Sequence, residues 1–308
     1  MGASLNQIDP RSGLPIPADF IVDQGVGRYT QMDHHIWRKL FRRQSALLRG
    51  RVVDEFHIGL AALGIADETI PEFERLNRRL GSATGWQVIA VPGLVPDDVF
   101  FAHLANRRFP AGYWVRSPAA LDYIEEPDVF HDVFGHVPLL MQQRYADYMQ
   151  AYGAAGLRLA GSPDLQRLAR LYWYTVEFGL MQTPAGLRIF GAGIVSSAGE
   201  TIYALEDTRP KRVRFNEVRV MRTDYEIDTF QKIYFVLNGY DDLPALDPDS
   251  LDSDLLASAL AQAGASGDLA PGEAASDDII FAAPPMQGRS RSVSRGWRAA
   301  ATQANSAK

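Results

Sequence analysis

The chain carries six histidines. Two of them, His131 and His136, stand five positions apart in Asp128-Val-Phe-His-Asp-Val-Phe-Gly-His-Val-Pro138. Glu177 follows 41 residues after His136, in Tyr172-Trp-Tyr-Thr-Val-Glu-Phe-Gly179. Leu168, Leu171, Tyr174, Val176, Phe178 and Leu180 surround it in sequence. A helix that is apolar on every side is buried, and a buried glutamate is costly unless its charge is compensated. Two imidazoles sharing a cation with the carboxylate would provide that compensation. Two histidines and one carboxylate, with coordination positions left open, is the donor set of non-haem Fe(II) oxygenases. The plainer alternative is two core histidines with local hydrogen bonds and a glutamate paired to an arginine; the apolar surroundings of Glu177 weigh against it. Spacing leaves the identity of the metal open.

The step of five matters. Zinc peptidases place histidines at i and i+4 on one helix face, whereas five residues turn about 140° around an α-helix. Both rings converge only if the helix stops between them. The sequence therefore predicts a helix capped by Asp128, ended by Gly135 in the left-handed conformation and barred from continuing by Pro138.

The elements that position these groups read as mainly α with a few short β-strands. Residues 1–20 are polar and Pro/Gly-rich and are expected to be loosely held. Helices are predicted over Met32–Leu48 and from Val53 to Gly64, and another opened by a capping box at Thr69-Ile-Pro-Glu72. Trp86–Val91 reads as a strand, Pro92–Pro96 as a loop, and Asp97–Asn106 as a helix. Pro110–Arg116 reads as a strand that delivers Arg116. Further helices are expected over Leu139–Gly156, Pro163–Met181 and Phe230–Leu237, with hairpin-like strands carrying Val213, Phe215, Val218 and Val220. His34 and His35 read as surface or capping residues, and His57 and His103 as structural. From Leu246 the composition turns to Asp, Ser, Ala, Gly and Pro, which suits no packed core. This divides the chain into a flexible start (1–20), a catalytic domain (21–245) and a low-complexity tail (246–308). Within the tail a short helix is expected over Asp254–Ala263, and Arg289–Arg298 is a basic patch.

The net charge of −6 over 308 residues offers no footprint for nucleic acid or an anionic membrane. The absence of cysteine excludes disulfides and thiolate ligands. No apolar run long enough to span a membrane and no secretory signal is visible, so a cytoplasmic protein is expected.

Several separated motifs, in order, resemble the catalytic domain of the pterin-dependent aromatic amino acid hydroxylases, most of all the short bacterial phenylalanine hydroxylases. They are Tyr29–Gln44, Pro127–Leu139, Tyr172–Gly179, Gly191-Ala-Gly-Ile-Val-Ser-Ser-Ala-Gly-Glu200 and Gln231-Lys-Ile-Tyr-Phe235, spanning residues 20 to 245. The resemblance implies that family's catalytic-domain fold, with iron on His131, His136 and Glu177. It places Arg116 on the substrate carboxylate, and Tyr123, Pro127, Trp173, Gly193 and Ser196 around the substrate. Val95, Phe100, Asp132 and Tyr172 would meet the pterin. Ile124 stands where animal members have threonine.

The activity implied is hydroxylation of L-phenylalanine to L-tyrosine with O2, Fe(2+) and tetrahydrobiopterin or a related tetrahydropterin. The partners implied are small molecules, with neither nucleic acid nor membrane. A monomer is expected, because the animal regulatory domain and tetramerisation heptads have no counterpart. The alternatives are hydroxylation of tryptophan, a non-catalytic iron or pterin sensor, and a zinc-type hydrolase. The last would lack the water-activating glutamate of His-Glu-x-x-His.

Overall fold

Thr30 and Asp33 form a reciprocal capping box that opens α1 (Gln31–Leu47), satisfying two helix-start donors at once. Ile36, Trp37 and Leu40 of this helix are buried. α2 (Asp54–Leu63) ends on Gly64 in the left-handed conformation, where a side chain would be strained. α3 (Phe73–Ala83) starts later than Thr69-Ile-Pro-Glu72 predicts, and its N-cap residue Glu72 supplies no side-chain cap. The Phe73 N–H instead donates to Gln24 Oε1 at 2.8 Å, so the cap comes from a distant segment.

The computed structural model describes residues 7–244 and Leu246. The readings made for the tail, including the helix at 254–263 and the basic patch at 289–298, lie outside the described residues. Residues 1–20, expected to be loosely held, carry specific contacts at Asp9 and Asp19, and Val22 just beyond does so too. Asp9 accepts from the Tyr113 hydroxyl, and the Asp19 carbonyl meets His103 Nε2 at 2.7 Å. The Val22 N–H donates to the Ala90 carbonyl at 3.0 Å.

β1 (Gln87–Val91) and β2 (Arg108–Gly112) pair in parallel, from Gln87 opposite Arg108 to Val91 opposite Gly112. α4 (Asp97–Ala105) makes the crossover between them. The strand expected to deliver Arg116 thus ends at Gly112, and Arg116 sits in the loop beyond. A π-helix over Phe130–His136 runs into a tight 3-10 segment, Val137–Met141. The helix expected from Leu139 breaks there, and α5 (Gln143–Arg158) starts afresh with Gln142 accepting from the Tyr145 N–H.

α6 (Leu165–Tyr172) widens into a second π segment, Trp173–Glu177. The single helix predicted through Met181 therefore ends at Glu177, and Leu180 and Met181 belong to β3 (Leu180–Thr183). There follow β4 (Gly186–Ile189), α7 (Ala192–Ser196), α8 (Ala198–Glu206), β5 (Lys211–Arg214), α9 (Glu217–Arg222) and β6 (Ile233–Leu237). The second sheet runs β4-β3-β6-β5, with β3–β4 antiparallel and β6 parallel to both its neighbours.

Two sequence expectations fail in this half. Val218 and Val220 lie on α9, with Asn216 accepting from the Arg219 N–H at its start. The stretch predicted as a helix over Phe230–Leu237 is instead strand β6, buried at every one of its positions. A central strand covered on both faces shows no alternation, so its apolar run resembles a buried helix.

The core gathers beneath the first π segment. Phe130 and Phe134 stack with centroids 4.7 Å apart, and Trp37 and Phe56 meet them edge-on at 5.5 and 5.4 Å. α2 presses against the chain just after His136. A Cβ added at Gly59 would fall 2.1 Å from the Pro138 carbonyl oxygen. Gly59→Ala should therefore cost about 1–3 kcal/mol by overpacking and lower Tm by several degrees. Thermal unfolding followed by circular dichroism checks this; an unchanged Tm would mean that α2 moves away freely.

Candidate metal centre

The π-helix resolves the spacing problem in a way the sequence reading did not foresee. Its hydrogen bonds join residues i and i+5, so His131 and His136 stand one wide turn apart on the same side. Gly135 is not in the left-handed conformation, and Pro138 sits inside the continuing 3-10 turn rather than stopping it. What Gly135 provides is closeness: a Cβ there would lie 3.1 Å from the Ala192 carbonyl oxygen of α7. The same widening recurs at Glu177, where the Phe178 N–H reaches five residues back to the Trp173 carbonyl at 2.8 Å.

The three donors converge. His136 Nε2 lies 3.2 Å from His131 Nε2 and 3.2 Å from Glu177 Oε1, while His131 Nε2 is 3.7 Å from Glu177 Oε2. Among the described residues, His131, His136 and Glu177 form the one cluster of three or more such groups able to hold a metal ion. Donors about 2.1 Å from one ion lie about 3.0 Å apart at right angles and about 3.4 Å apart in a tetrahedron, so the spacing fits a shared ion.

Orientation and protonation also fit. His131 Nδ1 is 2.8 Å from Ser196 Oγ, which turns Nε2 toward the cluster. Asp128 Oδ1 accepts from the His131 N–H at 3.0 Å, the cap expected of that aspartate. Burial, partly offset by Glu177, lowers the His131 pKa to about 4, so the ring is neutral at neutral pH and offers a lone pair. Burial works against the charge of Glu177, but His136, by its field and hydrogen bond, and His131 hold that carboxyl below the usual range. Two imidazoles and a carboxylate with open coordination positions suit ferrous iron.

Arg116 is buried and grips Asp128 through Nε and Nη2 at 2.8 and 2.7 Å. One carboxylate thus anchors both the guanidinium and the start of the ligand-bearing turn. Arg116 and Tyr123, with Trp114 and Ile124, line an open recess of about 530 Å³. Tyr123 is exposed, and Pro127 is half-buried just ahead of Asp128.

On the other side, Tyr172 lies 6.4 Å from the His136 ring and 6.1 Å from Phe100. Val95 is half-buried on the loop before α4. Asp132 accepts from the Gly112 N–H at 2.7 Å, and burial pushes its carboxyl up to about 7. Gly193 packs on Glu177: a Cβ there would meet Glu177 Oε2 at 3.1 Å and Phe178 Cζ at 2.9 Å. Trp173 meets Phe178 at a tilt, 4.6 Å away, and stacks on Tyr225 at 4.2 Å. The sequence reading did not single out Phe178 or Tyr225 as site walls, nor Asp128 as the partner of Arg116. Acidic spacing to Arg116 was the one available signal, and it is weak.

A sequence model of the biopterin-dependent aromatic amino acid hydroxylase family matches residues 19–245. The chain is 60% identical over 231 residues to the phenylalanine-4-hydroxylase of Ralstonia nicotianae, covering 75% of this chain and 74% of that protein. It is 52% identical over 271 residues to that of Chromobacterium violaceum, covering 88% and 89%. The crystal structure of the C. violaceum phenylalanine hydroxylase with bound Fe(III) superposes with a TM-score of 0.80 at 50% identity, over 88% of this chain and 97% of that chain. The form of that enzyme with iron(III) and 7,8-dihydrobiopterin gives 0.78 at 51%, over 85% and 95%.

If Ser196 orients His131 for a metal, Ser196→Ala should weaken ferrous iron binding by about 10–100-fold, the usual worth of such a partner. Competition with a chelator measures it, alongside circular dichroism to verify the fold. Unaltered affinity would remove Ser196 from the site.

Proposed function

Because the chain belongs to the biopterin-dependent aromatic amino acid hydroxylases, we propose that it converts L-phenylalanine to L-tyrosine with O2, ferrous iron and a tetrahydropterin. It is an enzyme of the monooxygenase class. What most supports the reading is the meeting of three possible ligand groups, two imidazoles and a carboxylate, within 4.8 Å of one another.

We assign His131, His136 and Glu177 as the iron ligands and the catalytic centre. When bound, iron and tetrahydropterin supply the oxygen activation, the pterin giving two electrons and the two oxygen atoms ending on substrate and pterin. The rest falls to the protein: binding, orientation and exclusion of water. Arg116 receives the amino acid carboxylate on the part of its guanidinium that Asp128 does not engage, since a planar fork suits a carboxylate. Tyr123, Pro127, Trp173, Gly193 and Ser196 bound the substrate. Phe100 and Tyr172 form an aromatic wall for the pterin beside His136, with Val95 at its edge and Asp132 offering a carboxyl to the ring's polar groups.

We assign the catalytic domain to residues 21–245, in keeping with the family match over 19–245. Among the described residues no helix is long and apolar enough to cross a membrane. The reading extends to a cytoplasmic monomer, which cell fractionation and size-exclusion chromatography check.

The deciding assay offers each aromatic amino acid in turn to purified protein with ferrous iron and a tetrahydropterin. Tyrosine formed from phenylalanine is the expected product, and oxygen uptake should need both amino acid and pterin. Glu177→Ala should lose iron and activity together while the circular dichroism spectrum persists; full turnover with iron retained would refute the ligand assignment. Arg116→Lys should raise the KM for phenylalanine by about tenfold, the cost of roughly one charged hydrogen bond. The pterin KM should change little, and the reverse pattern would dismiss the role given to Arg116.

A further inference from the structure

Gln231 is buried and lies 54 residues after Glu177 in sequence, yet its side chain holds a wall of the site. Its Oε1 accepts from the Trp173 indole N–H at 2.9 Å. Its Nε2 donates to the carbonyls of Glu226 and Thr229 at 2.9 and 3.3 Å. An indole only donates and carbonyls only accept, so this amide has one permissible orientation.

The Gln231 backbone is fixed as well. Its N–H donates to Glu200 Oε1 at 3.2 Å, and the same oxygen accepts from the Tyr234 hydroxyl. Glu200 is buried without an ion-pair partner among the described residues, and burial pushes its carboxyl up to about 7. A carboxyl buried this way is costly, and its two donors belong to Gln231 and to Tyr234 of β6, the strand that follows.

The geometry at Trp173 explains why such a holder matters. Tyr225 lies parallel to the indole at 4.2 Å and 15°, and Phe178 packs on it at 4.6 Å and 38°. Stacking of this kind restrains a ring along its normal but lets it slide and rotate in its own plane. The Nε1–Gln231 bond stops that in-plane motion. Phe178 adjoins Glu177 and touches the position of Gly193, so an in-plane shift of the indole changes the space beside the metal ligands.

We propose that Gln231, held in turn by Glu200, is a positioning residue that fixes the in-plane setting of Trp173 and so selects the aromatic ring size the site accepts. This rests on the hydroxylase reading given above and adds to it the device that separates phenyl from indole substrates.

The test combines kinetics with a signal that does not need turnover. Gln231→Met removes the acceptor at similar volume, and Gln231→Glu, with its buried carboxyl protonated so that it still donates to the Glu226 carbonyl, keeps it. In the iron-loaded enzyme, Gln231→Met should lower the phenylalanine-over-tryptophan ratio of kcat/KM by about fivefold, the worth of one hydrogen bond. Gln231→Glu should stay within about twofold of the parent, and iron content and pterin KM should hold in both. In a Trp173→Phe background, which has no indole N–H, Gln231→Met should cause no further change. Independently, the Trp173 indole N–H resonance, identified by its loss in Trp173→Phe, should exchange slowly in the parent and Gln231→Glu and quickly in Gln231→Met.

An unchanged ratio, an equal rise in both KM values, or the same effect of Gln231→Met with and without the indole would overturn the proposal. Fast exchange in the parent would overturn it too, even if Gln231→Met did not fold. Absence of hydroxylation of any aromatic amino acid by the parent would instead sink the hydroxylase reading. The indole resonance would then still report whether Gln231 holds Trp173.

Discussion

A carboxylate set between two imidazoles in the buried interior is the constraint that the surrounding structure serves. Among the described residues the ion-pair partners of Glu177 are His131 and His136, and a cation shared with those imidazoles would make its buried charge tolerable. The short segment α7 sets the spacing of all three groups. Gly135 lets the first π turn close on Ala192, Gly193 lets α7 close on Glu177, and Ser196 at its end turns the His131 ring. Small residues at two faces and one hydroxyl thus fix distances that no single helix could fix.

Asp128 extends that control to the other half of the site. Fully buried, it takes the Arg116 guanidinium by two bonds and the His131 N–H by a third. Removing one partner of a buried ion pair leaves an uncompensated charge, at a typical cost of about 3–5 kcal/mol. The position of the guanidinium and the start of the ligand-bearing turn are therefore not independent. The group we assign to the substrate carboxylate and a group we assign to the metal are thus set by the same side chain.

The sequence displayed the chemistry of this site more clearly than its geometry. His131, His136 and Glu177 stand out because ligand types in an apolar context are rare, and the separated motifs announced a family that the comparisons then showed. The means of convergence did not stand out. A π turn has no period of its own in the sequence, and Gly135 and Pro138 read as helix terminators when they serve close packing and a 3-10 continuation. β6 and α9 were exchanged for the same reason: Ile233–Leu237 is covered on both faces, and α9 is too short for a helical period to emerge. The cap of α3 came from Gln24, 49 residues away, where no local pattern could reveal it.

The second π segment also explains how adjacent residues can face different chemistry. Tyr172 points toward His136, Phe100 and Tyr152, whereas Trp173 turns to Phe178, Tyr225 and Gln231. In a regular helix neighbours are about 100° apart, which already separates them. The widened turn then brings Glu177 back between the two aromatic walls rather than beneath one of them. π turns are rare as free-standing structure and frequent at functional sites. Here the inward residues Tyr174, Thr175 and Val176 are buried, and Thr175 donates to the Leu171 carbonyl, which helps satisfy a carbonyl where the hydrogen-bond ladder widens. The strain of the turn is thus carried by the core, and its benefit is a ligand standing between the wall assigned to the pterin and the wall assigned to the amino acid.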